Sequence, residues 1–116
     1  MSKDPRVYLA HMRDAVGKII AYAGTDRSFF LSDTKSQDAL IRQYEILGEA
    51  AKRVDDATRA KYPDVPWKQM AGLRDRAIHD YSGVNVPFLW DLTMKEIPKL
   101  RKRIGELLEE LGEPGS

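Results

Sequence analysis

Apolar residues recur along most of the chain at alternating steps of three and four positions, the spacing of one face of an α-helix. No segment shows the strict alternation that is typical of a β-strand. Three segments carry such a stripe: Leu9, Met12, Val16, Ile19 and Ala23; Leu40, Tyr44, Leu47, Ala51 and Val54; and Trp90, Ile97, Leu100, Ile104, Leu107 and Leu111. The pattern predicts three amphipathic helices, each with one buried face.

Capping residues and prolines predict where these helices begin and end. Asp4 followed by Pro5 is typical of a helix start, and Gly24 of a helix end. The second helix is expected from about residue 35 to residue 54. Asn85 is expected to cap the last helix, with Pro87 in its first turn.

Two connections and a fourth helix account for the remaining residues. The stretch TDRSFFLSDTKS is expected to be a connection whose Phe29, Phe30 and Leu31 tuck against the bundle. The stretch DDATRAKYPDVP is expected to be a break with one short helical turn. A further helix is expected from near Pro66 to about Tyr81, with its stop at the following Ser-Gly pair.

Together these elements predict an all-α fold, an antiparallel bundle of four main helices plus a short helical turn. Residues 1–111 are expected to form a single domain, and residues 112–116 a disordered tail. Gly48, beside the second stripe, predicts a close approach of a neighbouring backbone. Pro98 lies inside the last helix, where a missing backbone donor predicts a kink.

Composition narrows the classes of protein to consider. The 116 residues suit one domain, and a net charge of +1 gives no global field for nucleic acid. The absence of cysteine excludes disulfides, zinc–thiolate sites and thiol nucleophiles. No apolar run approaches the length of a membrane span, and the polar start of the chain lacks a signal-peptide core. A cytoplasmic protein without a membrane partner is expected.

The stretch LRDRAIHDYSG, residues 73–83, carries the candidate chemistry. Arg74 and His79 are five positions apart, about 140° around a helix, so they can flank one groove. A second protomer would complete such a groove better than a single exposed helix. Histidine exchanges protons near neutral pH, and the arginine fork matches phosphate oxygens. Cleavage of an RNA phosphodiester through the ribose 2′-hydroxyl needs both functions and can proceed without a metal or another cofactor.

A structural interpretation of the same residues stays open at this point. Arginines near a helix C-terminus interact favourably with its dipole, and Tyr81 can be a core residue. His11 is expected to be a surface residue, and Glu49 a surface or helix-bridging carboxylate. The basic run KLRKR, residues 99–103, fits either a phosphate-binding track or a solvated face.

Longer stretches strengthen the functional interpretation by resemblance. The sequence RDRAIHDY resembles the R-x4-H-x-Y signature of the HepT-like branch of the HEPN family. YEILGEAAKRV is similar to the second-helix segment of that branch, and the stretch from YPDVPW to EIPKL is similar to the motif and its flanks. The resemblance covers roughly residues 7–111.

The resemblance implies a HEPN-like bundle that acts as a homodimeric, metal-independent endoribonuclease toxin. Its partner would be a minimal nucleotidyltransferase antitoxin that transfers AMP from ATP to the motif tyrosine, Tyr81. Arg74 and His79 would be the catalytic pair, with Asp75 and Arg76 as supporting or RNA-contacting positions. A catalytically inactive binding module for the nucleotidyltransferase is the alternative.

Two residues depart from the family pattern. Many relatives carry asparagine where this chain has Asp75, and an aromatic residue where it has Ser82. A carboxylate four residues before His79 can orient the imidazole, but it also repels phosphate. The sequence therefore leaves open whether Asp75 helps or weakens catalysis.

Overall fold

The computed structural model describes the backbone of residues 4–78 and 85–114 and the side chains of residues 4–73 and 85–114. These ranges contain six α-helices and no strand, which confirms the predicted all-α class. The helices are α1 (Pro5–Ala23), α2 (Arg27–Ser32), α3 (Thr34–Arg53), α4 (Asp56–Lys61), α5 (Trp67–Ile78) and α6 (Val86–Leu111). The four long ones are the four predicted main helices, and α4 is the predicted short turn.

The buried faces of the long helices follow the predicted stripes. Every predicted position of α1 and of the second stripe is buried, and so is every position of the last stripe except Leu111, which is half-buried. The last stripe also includes three residues that the spacing rule missed, Leu89, Thr93 and Leu108. A buried face with more than one residue in each helical turn is expected where a helix packs against two neighbouring helices.

Side chains cap the helices where the sequence indicated. The Asp4 carboxylate accepts from the backbone N–H of Arg6, and the Asn85 side chain accepts from that of Phe88. Gly24 ends α1 with φ at 68°, a backbone conformation that favours glycine. These three predictions are confirmed.

The connection expected between α1 and α3 is itself helical, so that prediction was wrong. Asp26 caps α2, and Asp33 caps α3 by accepting from the backbone N–H of Ser36. Phe30 is fully buried and its ring lies 5.6 Å from that of Trp90, whereas Phe29 is 59% exposed. A helix turns consecutive side chains about 100° apart, so the two phenylalanines cannot both face the core.

In the bundle, α1 packs against α3 and α6, while α5 packs on α3. Arg6, in the first turn of α1, donates to the backbone oxygen of Glu113, just beyond the end of α6. Near the other end of α1, Ala21 lines the same furrow as Arg101, which belongs to the middle of α6. The predicted antiparallel arrangement therefore holds for α1 and α6.

One polar contact joins α3 to α6 inside the core. The Tyr44 hydroxyl lies 2.7 Å from the Thr93 hydroxyl, which donates to the backbone oxygen of Leu89 at 2.7 Å. Burial raises the pKa of the Tyr44 phenol to about 12, although the bond to Thr93 partly opposes this shift. The buried phenol is therefore held neutral and bonded at physiological pH.

The longest helix, α6, continues through Pro98 without a break in its helical residues. The kink expected at Pro98 stays a prediction. Among the residues that the structure describes, no helix combines the length and apolar character needed to cross a membrane.

Candidate functional site

The motif helix α5 is held against α3 at Gly48. A Cβ atom built on Gly48 would lie 2.9 Å from the backbone oxygen of Met70 and 3.6 Å from that of Ala71. Such distances leave no room for a side chain, which confirms the predicted close approach. The contact places the first half of α5, one turn before Arg74, directly on the α3 backbone.

The start of α5 is fixed by the tryptophan that follows Pro66. Trp67 is buried, and its indole N–H donates to the backbone oxygen of Tyr62 at 2.9 Å. The backbone N–H of Trp67 also bonds the oxygen of Val65 at 2.8 Å. These bonds tie the loop before α5 to its first turn, so the helix cannot rotate freely about its axis.

The predicted catalytic residues belong to the end of α5 and the segment after it. Arg74, Asp75 and Arg76 have helical backbone within α5, but their side chains lie outside the described residues. His79 and Tyr81 lie outside the described residues altogether. The helical position of Arg74 agrees with the sequence, whereas its convergence with His79 stays a prediction.

An apolar groove of about 580 Å³ separates α5 from α6. Leu73 of α5 and Leu92 of α6 line it, and Leu73 directly precedes Arg74. The remaining lining residues are Asp64, Pro66, Gln69, Met70, Glu96, Ile97, Lys99, Leu100 and Arg103. The groove therefore extends along the described part of the motif helix, with its charged groups on the α6 side and at the Asp64 end.

An ion pair lies at the Asp64 end of this groove. The Arg103 guanidinium donates to both carboxylate oxygens of Asp64, at 2.7 and 3.2 Å, and also bonds Glu106 at 3.3 Å. The hydrogen bonds from Arg103 lower the pKa of Asp64. The guanidinium also lies 5.5 Å from the centre of the Tyr62 ring, a cation–π contact. The Arg103 side chain is thus held by contacts within the protein.

A second cleft, of about 450 Å³, lies between α1 and α3, and His11 lines it. The imidazole is exposed and meets the Tyr8 ring edge-on, with 6.2 Å between the ring centres. Glu49 is exposed and lies 3.6 Å from Arg53, one turn along α3. Both residues are therefore surface residues, as the sequence indicated.

The basic run at residues 99–103 is divided among different faces of α6. Lys99 lines the α5/α6 groove, Arg101 lines a furrow between α1 and α6, and Arg103 is held by Asp64. Successive residues of a helix point about 100° apart, so the run cannot form one continuous track. Whether some of these residues bind a phosphate backbone stays a prediction.

Comparisons with known proteins place this chain in a family. The family model described as "Ribonuclease HepT-like" matches residues 12–107. A protein of Caldanaerobacter subterraneus subsp. tengcongensis named as a candidate RNase is 39% identical over 109 residues, which are 93% of this chain and 97% of the relative. A protein of Methanocaldococcus jannaschii, also named as a candidate RNase, is 40% identical over 111 residues, covering 94% and 91%.

A relative from Thermococcus cleftensis, named "Probable ribonuclease HepT", is 42% identical over 78 residues, 67% of this chain and 71% of that protein. No solved structure matches the chain. The matched residues include α3, α5 and most of α6, together with the Arg-x4-His-x-Tyr stretch. The chain belongs to the HepT-like ribonuclease family, the branch of the HEPN proteins that its motif indicated.

Proposed function

We propose that this protein is an endoribonuclease that cleaves RNA with Arg74 and His79. The observation that carries the proposal is family membership over residues 12–107, which includes both residues at the family spacing. The names of the relatives from three organisms add support, because each describes an RNase or ribonuclease.

The proposed chemistry is an internal transesterification of the RNA backbone. The ribose 2′-oxygen forms a bond to the adjacent phosphorus while the bond from phosphorus to the 5′-oxygen breaks. His79 handles a proton, taken from the 2′-hydroxyl or given to the leaving oxygen. Arg74 binds the phosphoryl oxygens, on which negative charge builds in the transition state. Neither role uses a metal ion.

We further propose that the active form is a homodimer with two motif helices lining one cleft. Residues five positions apart on a continuous helix point about 140° apart, so on such a helix a ligand that contacts both Arg74 and His79 would need a second wall. The contact of α5 with α3 at Gly48 is compatible with that arrangement, because it fixes the motif helix within each protomer. The oligomeric state can be measured by sedimentation at several protein concentrations.

Cleavage of RNA by the purified protein in excess EDTA tests the nuclease proposal. The unmodified chain should cleave, and His79→Ala should not. Arg74→Lys keeps the charge but loses the planar fork, so it should cleave far more slowly. Equal cleavage by the unmodified chain and His79→Ala would remove His79 from the mechanism.

Regulation by a minimal nucleotidyltransferase is the second part of the proposal. The Tyr81 oxygen would attack the α-phosphorus of ATP, so that pyrophosphate leaves and AMP stays on the phenol. On a continuous helix, residues seven positions apart share a face, so a bulky anion on Tyr81 would there neutralise the Arg74 guanidinium. Intact mass after incubation with the partner enzyme and ATP should rise by AMP units, and Tyr81→Phe should abolish the rise.

A binding module without catalytic activity is the second candidate, and Asp75 favours it. A carboxylate directly after Arg74 repels phosphate and competes for the guanidinium. This candidate predicts a stable complex with the nucleotidyltransferase but no RNA cleavage by the free chain. Asp75→Asn restores the family-typical residue, so a gain of cleavage in that variant would identify Asp75 as the cause of inactivity.

A further inference from the structure

One face of α6 carries three lysines at helical spacing, Lys95, Lys99 and Lys102. Steps of four and then three residues keep them within about 60° of one another around the helix. Along the axis they are about 6 and 4.5 Å apart, comparable with successive phosphates of an extended strand. All three are exposed, and within residues 4–73 and 85–114 none forms an ion pair.

Six of the thirteen other cations with described side chains are paired with carboxylates. Arg6, Arg13, Arg42, Arg53, Arg59 and Arg103 each form an ion pair. What distinguishes Lys95, Lys99 and Lys102 from the other unpaired cations is that all three share one face of a single helix. Carboxylates limit the stripe at both ends: Asp91 lies one turn before Lys95, and Glu106, which bonds Arg103, lies one turn after Lys102.

The stripe also borders the groove beside the motif helix. Lys99 lines the α5/α6 groove, whose opposite wall includes Leu73, the residue before Arg74. A single RNA strand bound along the three lysines would thus lie next to the groove between α5 and α6. Its bases can face the apolar floor while its phosphates meet the lysines.

We propose that Lys95, Lys99 and Lys102 form a track that binds the phosphate backbone of the RNA substrate, an inference that rests on the proposed ribonuclease function. A protein partner fits these residues less well, because lysine is depleted in protein–protein interfaces. Phosphate contacts carry no sequence information, so the track fixes the position of the RNA and leaves base selection to other residues.

Binding of a fluorescein-labelled single-stranded RNA, followed by anisotropy in the His79→Ala background to prevent cleavage, tests the track. Replacing all three lysines by alanine should weaken binding about tenfold or more near 100 mM salt. The slope of log affinity against log salt should fall by about 2, because each contact to a single strand contributes about 0.7. Arginine at the three positions should restore both values.

A second triple variant controls for the change in net charge. Lys18, Lys35 and Lys52 are exposed lysines on α1 and α3; Lys18 lines the α1/α6 furrow, and none of the three lines the α5/α6 groove. Their replacement by alanine removes the same charge and should weaken binding less than about threefold. Equal effects of the two triple variants would overturn the track, since only overall charge would then matter. Equally tight binding of polyglutamate to the stripe would also overturn it, in favour of an acidic protein partner.

Cleavage assays keep this inference separate from the proposed nuclease function. With His79 intact, the stripe variant should need more RNA for half-maximal rate while its rate at saturation changes little. RNA cleavage that does not respond to the stripe variant would overturn the track and leave the nuclease proposal in place. Stripe-dependent binding without any cleavage would support the track and contradict the nuclease.

Discussion

Two regions of the molecule contain glycines inside helices, the inner face of α3 and the furrow between α1 and α6. They differ in how much space surrounds the glycine. On the inner face of α3, the backbone oxygen of Met70 leaves no space for a Cβ atom at Gly48. In the furrow between α1 and α6, Gly17 and Gly105 have nothing within 4 Å of the corresponding position. The inner face of α3 thus fixes the motif helix by contact, whereas the α1/α6 furrow leaves volume unused.

Gly48→Ala should produce the largest loss of stability. A methyl group 2.9 Å from a backbone oxygen cannot be relieved by a side-chain rotation, so α5 must move. We expect the free energy of unfolding to fall by about 2 to 3 kcal/mol, more than the roughly 1 kcal/mol that alanine adds through helix propensity. Urea unfolding measures the loss. An unchanged midpoint would show that α5 is not held tightly at this crossing.

Thr93→Val should produce the next largest effect on the same face of α3. Valine keeps the shape of threonine but removes the acceptor of the Tyr44 hydroxyl, which is buried. Leaving that hydroxyl without a partner should lower the free energy of unfolding by about 1 to 2 kcal/mol. Tyr44→Phe should cost less, because Thr93 can still donate to Leu89. Equal losses of stability in Thr93→Val and Tyr44→Phe would contradict this assignment, in which only the Tyr44 hydroxyl loses its sole partner.

Alkaline pH should weaken the same contact. The folded-state pKa of Tyr44 is about 12, above the ordinary value of 10, so the unfolded chain loses this proton first. The contribution is complete below pH 10 and is lost as pH rises toward 12; the loss is about 1 kcal/mol at pH 11. Unfolding of Tyr44→Phe should depend less steeply on pH between 10 and 12. Tyr22→Phe, at an exposed tyrosine, should keep the original slope.

Gly17→Ala and Gly105→Ala should have the smallest effects on the free energy of unfolding. Both should stabilise the protein, in contrast to the changes at Gly48 and Thr93. Alanine has a higher helix propensity and reduces the freedom of the unfolded chain, and here nothing opposes its methyl group. Each change should raise the free energy of unfolding by about 0.5 to 1 kcal/mol. The two sites belong to different helices, so their effects should add. A loss of stability at either site would mean that the furrow has no room for a methyl group there.

Periodicity and capping predicted most of the fold from local rules. The stripes of α1, α3 and α6 and the Asn85 cap each depend on residues a few positions apart, and a glycine inside a helical stripe was enough to indicate the approach at Gly48. The sequence did not predict the short helix α2, because its six residues include only one buried side chain, Phe30, and so show no periodicity. The Tyr44–Thr93 bond joins residues 49 positions apart, and no local pattern encodes such a pairing.

The candidate site was less predictable than the fold. The spacing of Arg74 and His79 indicates the chemistry, but their convergence depends on tertiary and quaternary arrangement that spacing alone does not contain. The basic run at residues 99–103 shows why a linear pattern misleads. Its members point to different faces, and the unpaired stripe instead includes Lys95, four residues earlier.

The bond between Arg6 and the backbone of Glu113 brings both ends of the described chain to one end of the bundle. A short peptide can therefore join them into a closed ring of helices. Such a ring can be opened at the exposed Gly24–Thr25 turn to give a circularly permuted protein. In that permutant the order of helices along the chain changes, while the α3–α5 crossing and everything attached to it keep their native connections.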